Sequence, residues 1–325
     1  MLILGIETSC DETAASVVKN GKIILSQIVS SSLNLHKPYG GIIPEIASRK
    51  QVELILPVVK QAIKKAKIKL NDIDLISVTS HPGLKGSLLV GLTLARILAF
   101  ALNKALIEVD HTKAHLFANF LSHTKPKFPF IGLVISGGHT NLYLVKSTLD
   151  FKLLGCTLDD AVGEAFDKVA RILKLGYPGG PAIDKLAKKG NPTKIKFSAG
   201  KEKENFNFSF SGIKTAVLYY VRDKWDKKRV KLSDIASSFQ EAAVKSLIHK
   251  SLLACDENKV KSLVIGGGVA ANSRLREILL KESKQRKIKV YFPAPVLCLD
   301  NASMVAALGF ELYRMKPELM EAIAT

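Results

Sequence analysis

Apolar runs bounded by turn residues recur along the N-terminal part of the chain. They predict strands at "LILGIE", "TAASVV", "GKIILSQIV" and "DLISVTS". Before the last of these, "PEIASRKQVELILPVVKQAIKKAKI" has helical spacing, with Pro44 suited to the first turn and Pro57 predicting a kink or a break. Strands that alternate with helices in this way are typical of an α/β domain.

The same pattern starts again at residue 130. The stretch "FIGLVISGGHTNLYLV" is a strand, a polar turn and a strand, and it can be laid over "LILGIETSCDETAASVV" at the N-terminus. Two units that each open with a β-hairpin resemble the actin-like architecture. We therefore predict an α/β, two-domain actin-like (ASKHA) fold with duplicated mixed-sheet domains and an interdomain cleft.

The expected domain boundaries follow from this repeat. The N-terminal domain would cover residues 1–110, and the second domain, with most of the ligand site, residues 111–299. The helical pattern of "DNASMVAALGFELYRMK" predicts a last helix, within residues 300–325, that packs back on the first domain.

The charge balance points to a class of partner. The 325 residues include 48 Lys and Arg against 29 Asp and Glu, a formal net charge of +19. This excess predicts a polyanionic partner, with nucleic acid as the first candidate. Because most of the excess is Lys, a general Lys-rich bias of the source proteome is the alternative. A hydrophobic fraction of 47% excludes a disordered chain.

Cysteine usage and hydropathy bear on the compartment. The chain has four cysteines and no CxxC pair, which argues against a thiolate zinc site and suits a reducing cytosol. The N-terminus has neither the basic region nor the cleavage site of a signal peptide. The longest apolar stretch, 88–102, contains Arg96 and is shorter than the roughly 20 residues of a membrane span, so it predicts a buried helix. We expect a cytoplasmic protein without a membrane segment.

A candidate metal site stands out in "HTKAH", where His111 and His115 follow an apolar run that predicts a strand. On a helix both imidazoles would lie on one face and could reach one ion. A solvated helix face is the alternative. The stretch "CLDNASMV" offers Asp300 just before a helix. Two histidines and one carboxylate with open positions suit Fe(II), with Zn as the competitor.

Glycine-rich turns bring backbone N–H groups within reach of an anion. They occur in "VISGGHT", "GYPGGPAID" and "IGGGVAAN". A hairpin turn is the alternative for the first, and a strand–helix joint for the last. The helix "LDDAVGEAFDKVARIL" puts Asp160, Glu164 and Asp167 on one face, and the helix dipole explains Asp167 poorly. The chain has no GxGxxG and no GxxxxGK[ST], so Rossmann and P-loop interpretations have no support.

Ten stretches, taken in order, resemble one family. They are "GIETSCDET", "YGGIIPEIASR", "PGLKGSLLVG", "HTKAH", "VISGGHT", "DDAVGEAFDKVARIL", "YPGGP", "FSFSGIKT", "GGGVAAN" and "CLDN". The family is that of the TsaD tRNA threonylcarbamoyladenosine transferases, in its bacterial and organellar form, formerly called glycoproteases or O-sialoglycoprotein endopeptidases. The resemblance implies transfer of the threonylcarbamoyl group of threonylcarbamoyl-AMP to the exocyclic amine of adenosine 37 in tRNAs that read ANN codons, with release of AMP.

The resemblance also implies a set of site residues. One divalent metal per subunit, Fe(II) in preference to Zn, would be held by His111, His115 and Asp300. Asp11, in "SCDET", would be the catalytic acidic residue. The donor would be bound by Val134, Ile135, Ser136, Gly137, Gly138, Asp167, Gly180, Asp184 and Asn272. One departure from the family pattern is Gln51, where a histidine is usual.

The partners implied by the resemblance are tRNA, a TsaB-like actin-fold paralogue and a TsaE-like ATPase, or a second copy of the chain. Candidate tRNA-binding patches are 64–69, 222–231 and 281–289, each of which is otherwise a solvated helix face or loop. Two other enzyme classes compete. A metal-dependent glycoprotease is disfavoured because HTKAH has Thr where HExxH proteases have Glu. An ATP-hydrolysing actin-like protein is disfavoured because "ETSCDET" has no glycine to admit phosphates.

Overall fold

The structure, a computed structural model, describes residues 1–122, 124–198 and 205–315. The chain divides into two compact units, one of Met1–Lys125 with Pro293–Thr325 and one of Pro126–Phe292. These bounds differ from the predicted boundaries at residues 110 and 299, because the helix that begins at residue 111 packs against the last described helix of the chain. Of the helix predicted within 300–325, residues 316–325 lie outside the described part.

A mixed five-stranded sheet forms the centre of the first unit. Its strands are β1 Leu2–Glu7, β2 Glu12–Lys19, β3 Ile23–Ser31, β4 Leu75–His81 and β5 Ala105–Asp110, in the order β3-β2-β1-β4-β5. The first three strands form an antiparallel meander, whereas β4 and β5 run parallel to β1. Strands β1 and β2 are buried along almost their whole length, as expected where both faces of a sheet are covered.

Four helices belong to the first part of this unit. They are α1 Leu33–His36, α2 Pro44–Ala66, α3 Lys85–Leu102 and α4 His111–Phe117. Apolar residues of α2 and α3 form one core with those of β1, β2 and β4. Helix α2 begins at Pro44 as predicted and continues through Pro57, so the helix is not broken there. Its packing against β2, β3 and α3 offsets the hydrogen bond that Pro57 cannot donate.

Helix α3 is less buried than its sequence predicts. Among the described residues it is the one helix long and apolar enough to cross a membrane, judged by length and composition, and 28% of it is buried. Its buried side consists mostly of small residues such as Gly91, where a Cβ would lie 2.3 Å from Thr8 Oγ1. Large apolar side chains point the other way: Leu89 is 64% exposed and Phe100 88%. The expectation of a buried helix holds for one face only.

The second unit repeats the topology of the first. Its strands are β6 Phe130–Ile135, β7 Thr140–Val145, β8 Phe151–Cys156, β9 Ser262–Gly266 and β10 Lys289–Tyr291, in the order β10-β9-β6-β7-β8. Strands β6, β7 and β8 form an antiparallel meander, and β9 and β10 run parallel to β6. Its helices are α5 Val162–Ile172, α6 Gly179–Ala187, α7 Ser211–Tyr219, α8 Leu232–Glu257 and α9 Ser273–Gln285. The duplication predicted from the repeated hairpin is therefore present.

Helix α10, Ala302–Met315, returns to the first unit and packs on β1, β2, β4 and α4. Two glycines allow this close approach. A Cβ at Gly5 would lie 2.1 Å from the Ala302 carbonyl oxygen, and a Cβ at Gly309 would lie 2.1 Å from Ser77 Oγ. The packing brings the residues just before α10 beside α4.

Candidate metal centre and glycine-rich turns

The two histidines of HTKAH lie on the short helix α4, which follows strand β5 directly. Asp110 ends the strand and caps the helix, because its carboxylate accepts a 3.0 Å hydrogen bond from the Lys113 N–H. His111 and His115 therefore fall one turn apart on the same side of α4. Their ring centroids are 4.7 Å apart, and both side chains are buried. The alternative of a solvated helix face is excluded.

Asp300 joins the two histidines from the C-terminal part of the chain. The next residue, Asn301, fixes the start of α10 by accepting a 3.0 Å hydrogen bond from the Met304 N–H. Asp300 Oδ1 lies 3.2 Å from His115 Nε2 and 3.7 Å from His111 Nε2. The three candidate ligand atoms all lie within 4.8 Å of one another. The fold thus brings together three residues that are far apart in sequence.

This donor set fits a metal ion. His115 is fully buried, and neither of its ring nitrogens makes a hydrogen bond among the described residues, although Nε2 lies 3.2 Å from Asp300 Oδ1. Buried polar atoms are nearly always paired, so a metal ion shared with Asp300 would account for Nε2. Burial is the largest influence on the pKa of His111 and lowers it, but the carboxylates of Glu7 and Asp300 outweigh burial and raise the pKa to about 9. A divalent cation would replace the proton held there.

Glu7 orients His111 and was missed by the sequence reasoning. Its Oε2 lies 3.1 Å from His111 Nδ1 and accepts a 2.6 Å hydrogen bond from the Thr79 hydroxyl, while Oε1 accepts one of 2.6 Å from the Ser9 N–H. When Nδ1–H is donated to this carboxylate, Nε2 keeps its lone pair on the side of Asp300, as in metal-binding histidines. The sequence feature that could have identified Glu7 is its position as a charged residue at the end of the apolar strand "LILGIE".

The predicted catalytic residue Asp11 lies in the turn between β1 and β2 and is largely buried. Its carbonyl accepts hydrogen bonds from the N–H and the hydroxyl of Ser32, at 3.0 and 2.9 Å. Gln51 of α2 holds the same turn, donating from Nε2 to the carbonyls of Cys10 at 2.9 Å and Glu12 at 3.0 Å. Gln51 is therefore a support of this turn that the sequence reasoning did not identify. The catalytic role of Asp11 remains a prediction.

Negative charge is concentrated in this turn. Burial, followed by the carboxylates of Asp300 and Asp11, raises the pKa of Glu12 to about 10. Glu12 is therefore a neutral acid at pH 7 that donates its hydrogen bond to Asp11. Burial and the same two carboxylates hold the pKa of Cys10 far above its usual range, so its thiol stays protonated. A cation beside Asp300 would relieve this crowding of acidic groups.

The turn of "VISGG" connects β6 and β7 in the second unit, and its first two residues are buried in β6. Ser136 closes the turn: its N–H donates to the His139 carbonyl at 2.8 Å, and its Oγ accepts from the His139 N–H at 3.1 Å. Neither crowding nor backbone conformation requires glycine at Gly137 and Gly138, since a Cβ would meet nothing within 4 Å and neither φ is positive. Open backbone of this kind lets a ligand come close.

Two other motifs contact this turn. A Cβ at Gly163, in the first turn of α5, would lie 2.5 Å from the Ser136 carbonyl oxygen, and one at Gly267 would lie 2.3 Å from that of Ile135. Gly267 also has a φ of 93°, which a residue with a side chain rarely adopts. The fold therefore brings "VISGG", "DDAVGEAFDK" and "GGGVAAN" together within the second unit.

Asp167 links helix α5 to the start of α6. Its carboxylate accepts hydrogen bonds from the N–H of Gly179, at 2.6 Å, and of Gly180. Burial raises the pKa of Asp167, and these two bonds oppose the rise. Gly179 is required by packing, because a Cβ would lie 2.5 Å from Ala170 Cβ, whereas Gly180 faces open space. Of the two glycines, Gly180 is the one accessible to a ligand.

Asp184 and Asn272 both make hydrogen bonds with residues at the start of α9. Asn272 caps this helix by accepting a 2.9 Å hydrogen bond from the Leu275 N–H, and its amide donates to Gln240 Oε1 at 2.9 Å. Asp184 accepts a 2.9 Å hydrogen bond from the Ser273 hydroxyl. Both side chains therefore have structural partners, and their predicted contacts with a donor molecule remain predictions.

The fold and the cluster of two histidines and one carboxylate define a class: a duplicated actin-like α/β protein with a candidate metal centre. Solved structures agree on the fold. HypF from T. kodakarensis matches 98% of this chain and 49% of its own, with a TM-score of 0.67 and 18% identity. Component A of (R)-2-hydroxyglutaryl-CoA dehydratase from Acidaminococcus fermentans matches 97% of this chain and 99% of its own, with a TM-score of 0.57 and 16% identity. The predicted actin-like class is confirmed.

Sequence comparison gives the family. The family model of TsaD, tRNA N6-adenosine threonylcarbamoyltransferase, matches residues 23–307. A protein with this name from Dictyoglomus turgidum is 51% identical over 97% of this chain and 94% of its own length. Another, from Syntrophus aciditrophicus, is 49% identical over 96% of this chain and 92% of its own. The chain belongs to the TsaD family. This confirms the predicted family and enzyme class, and it lends no support to a glycoprotease or an ATPase.

Proposed function

We propose that the chain transfers the threonylcarbamoyl group of threonylcarbamoyl-AMP to the exocyclic amine of adenosine 37 in tRNAs that read ANN codons, releasing AMP. Membership of the TsaD family supports the reaction class. The observation that carries the proposal for this chain is the convergence of His111, His115 and Asp300. An inactive relative would not be expected to keep all three candidate metal ligands.

The donor is a mixed anhydride, so the enzyme needs no nucleophile of its own. The adenosine N6 amine attacks the carbonyl carbon of the threonylcarbamoyl group, and a C–N bond forms. The bond from that carbon to the phosphate oxygen breaks, AMP leaves with the electron pair, and the nitrogen gives up one proton. Because this amine is a weak nucleophile, the enzyme must hold both reactants in line and stabilise developing charge.

His111, His115 and Asp300 would hold one divalent metal ion. A set of two histidines and one carboxylate favours Fe(II), with Zn as the alternative. When bound, the metal supplies Lewis-acid polarisation of the threonylcarbamoyl group. Glu7 supports this arrangement because it keeps the Nε2 of His111 available on the side of Asp300.

Asp11 would orient the adenine amine and accept its proton. Its support is positional: the turn that carries it is held by Gln51 and Ser32, so its backbone is fixed from two sides. The neutral carboxyl of Glu12 donates a hydrogen bond to the Asp11 carboxylate and limits the directions it can take. A base held in this way loses little freedom when the substrate arrives.

The second unit would bind the AMP part of the donor. Backbone N–H groups of the "VISGG" turn would approach the phosphate, since Gly137 and Gly138 are open and uncrowded. Asp184 and Asn272, which both make hydrogen bonds at the start of α9, would contact the nucleoside together with the open backbone at Gly180. Val134, Ile135, Ser136 and Asp167 would keep these turns in shape through their own buried contacts.

We propose that the enzyme acts on tRNA in the cytoplasm with a TsaB-like actin-fold paralogue and a TsaE-like ATPase, a homodimer being the alternative. Exposed apolar residues of α2 and α3 support such an association. They are Val52 and Leu56 of α2 and Leu89, Ile97 and Phe100 of α3. Several large apolar side chains exposed on two contacting helices favour an interaction site, because their exposure to water is unfavourable.

A transfer assay tests the proposed function. Purified protein would receive threonylcarbamoyl-AMP and unmodified tRNA, with and without candidate partner proteins, and digested nucleosides would be read by mass spectrometry. The wild type should form threonylcarbamoyladenosine, and His111→Ala should lose both the product and the bound metal. His249→Ala, a substitution at an exposed histidine of α8, should retain both. Folded, metal-loaded wild type that gives no product in any combination would overturn the proposal.

A further inference from the structure

A cation-rich segment follows helix α7 in the second unit. It begins at Tyr219, continues through a single π-helical turn at Tyr220–Lys224, and ends at Lys231, where α8 begins. We call residues 219–231 the aromatic–basic segment. It contains six cationic residues and two acidic ones: Arg222, Lys224, Lys227, Lys228, Arg229, Lys231, Asp223 and Asp226. One-turn π-helices occur often at functional sites.

The two acidic residues are already paired inside the segment. Arg222 makes two contacts with Asp223, of 2.6 and 2.8 Å, and Arg229 lies 3.5 Å from Asp226. In the described part of the chain, Lys224, Lys227 and Lys228 make no salt bridge, and all three are exposed. Their charge is therefore available to a polyanion.

Aromatic rings stand beside these charges. The guanidinium of Arg222 lies 4.9 Å from the ring centre of Tyr219, which is 50% exposed. The Nζ of Lys227 lies 5.3 Å from the ring centre of Trp225, whose indole N–H donates a 2.9 Å hydrogen bond to the Val230 carbonyl and is thereby fixed. Exposed aromatic and guanidinium planes next to lysines are the surface on which unpaired RNA bases stack.

Several charges of the other two basic patches have structural explanations. Lys64 and Lys65 lie in the last turn of α2, and Lys67 is its cap, where cations stabilise the carbonyl end of a helix. The stretch 64–69 contains no aromatic residue. In 281–289, Lys284 lies in the last turn of α9, and Arg286 is paired with Asp256. These five charges have roles in the fold that do not require a nucleic acid. Among the other cations of 281–289, Lys289 lies 5.0 Å from the ring centre of Tyr291, which is outside that stretch.

We propose that the aromatic–basic segment is a tRNA-binding surface, in which Lys224, Lys227 and Lys228 contact phosphates and Tyr219 stacks an unpaired base. This inference rests on the proposed function for the identity of the RNA. The chemistry it requires is that of a folded RNA with a phosphate backbone and at least one unstacked base, as in a tRNA loop.

Two matched triple variants test the proposal: Lys224→Gln/Lys227→Gln/Lys228→Gln in the segment, and Lys64→Gln/Lys65→Gln/Lys67→Gln as a control with the same change of charge. The dissociation constant for unmodified tRNA would be measured by fluorescence anisotropy over a range of salt concentrations. The segment variant should weaken binding at least tenfold and reduce the slope of log K against log salt by about two to three, one for each lost phosphate contact. The control should change the slope by less than one.

Tyr219→Ala separates stacking from charge. It should weaken tRNA binding by about 5- to 150-fold and leave the salt slope unchanged. In the transfer assay the segment variant and Tyr219→Ala should raise KM for tRNA and leave kcat near the wild-type value, because none of the changed residues belongs to the proposed donor site. Equal effects of the two triple variants, or an unchanged salt slope in the segment variant, would overturn the proposal. If the wild type binds tRNA through the aromatic–basic segment but makes no threonylcarbamoyladenosine, the tRNA-binding surface is supported and the proposed function is refuted.

Discussion

Glu7→Gln is the substitution that tests the organisation of the metal centre most sharply. Glu7 is fully buried, and its two oxygens contact the Ser9 N–H, the Thr79 hydroxyl and His111 Nδ1. Glutamine has the same size, but one oxygen becomes an NH₂ group. If NH₂ faces Ser9, a donor meets a donor. If NH₂ faces His111, the ring must accept at Nδ1 and carry its proton on Nε2, the atom that would bind the metal.

Metal binding by Glu7→Gln therefore requires one mismatched buried contact in either arrangement. Such a contact costs about 1–3 kcal/mol, and 1.4 kcal/mol corresponds to a factor of about ten in affinity. We expect the affinity for Zn²⁺ or Fe²⁺, corrected for the proton that His111 must release, to fall by about 10- to 100-fold, in line with other residues that orient metal-bound histidines. The correction is required because the Glu7 carboxylate also raises the pKa of His111, and its loss reduces competition by the proton. The three ligands themselves are unchanged in this variant.

Chelator competition, performed without oxygen for Fe²⁺, would measure these affinities. Glu53→Gln, an exposed position on α2, is the control with the same change of charge. Unfolding of the metal-free proteins would confirm that both variants fold. The affinities would be measured over a range of pH, so that they can be corrected for the proton on His111. A corrected affinity of Glu7→Gln within twofold of the wild type would refute the argument that Glu7 orients His111.

Four further outcomes follow from the structure. In the metal-free protein the pKa of His111 is about 9, so a metal ion must displace its proton at neutral pH. The affinity for Zn²⁺, measured by chelator competition, should therefore rise about tenfold per pH unit up to pH 9. An affinity that does not change with pH would contradict this. Glu12→Gln should raise the free energy of unfolding of the metal-free protein, and the increase should grow from pH 4.5 towards 10, because folded Glu12 keeps a proton that the unfolded chain releases. Chemical denaturation should show a larger increase in the free energy of unfolding at pH 8 than at pH 6. The reverse order would contradict this. Gln51→Leu should lower the free energy of unfolding by about 2 kcal/mol in chemical denaturation, because two partly buried carbonyls lose their donor. An unchanged midpoint would contradict this. Phe100→Asp should weaken association with the proposed partner, a TsaB-like paralogue or a second copy of the chain, at least tenfold in analytical ultracentrifugation. Unchanged association would show that α3 is not part of such an interface.

Much of the fold could be predicted from the sequence, because the pattern that specifies each β-hairpin is local. Each β-hairpin is a pair of apolar runs around a polar turn, and its repetition predicts the duplicated sheets that the structure shows. The position of His111 and His115 on one helix face also follows from spacing alone. The domain boundary does not, because it depends on the packing of α4 against α10, a contact between distant parts of the chain.

Less of the candidate site could be predicted from the sequence. Asp300 was a candidate because it precedes a helix, and the resemblance then selected it as the third ligand, since spacing cannot show which distant carboxylate reaches a metal. Glu7 and Gln51 were missed because their partners belong to other elements: a helix histidine for the first and turn carbonyls for the second. The exposed side of α3 was misjudged, because an almost wholly apolar helix carries no periodic signal that distinguishes its buried face.

The position and identity of the modified nucleoside test the central claim most directly. Wild-type enzyme, with the partners it requires, would be incubated with threonylcarbamoyl-AMP and two tRNAs that differ only in having adenosine or guanosine at position 37. Mass spectrometry of the digested tRNA should find threonylcarbamoyladenosine in the first tRNA and none in the second. The same yield from both tRNAs, or modification at another position, would contradict the assignment.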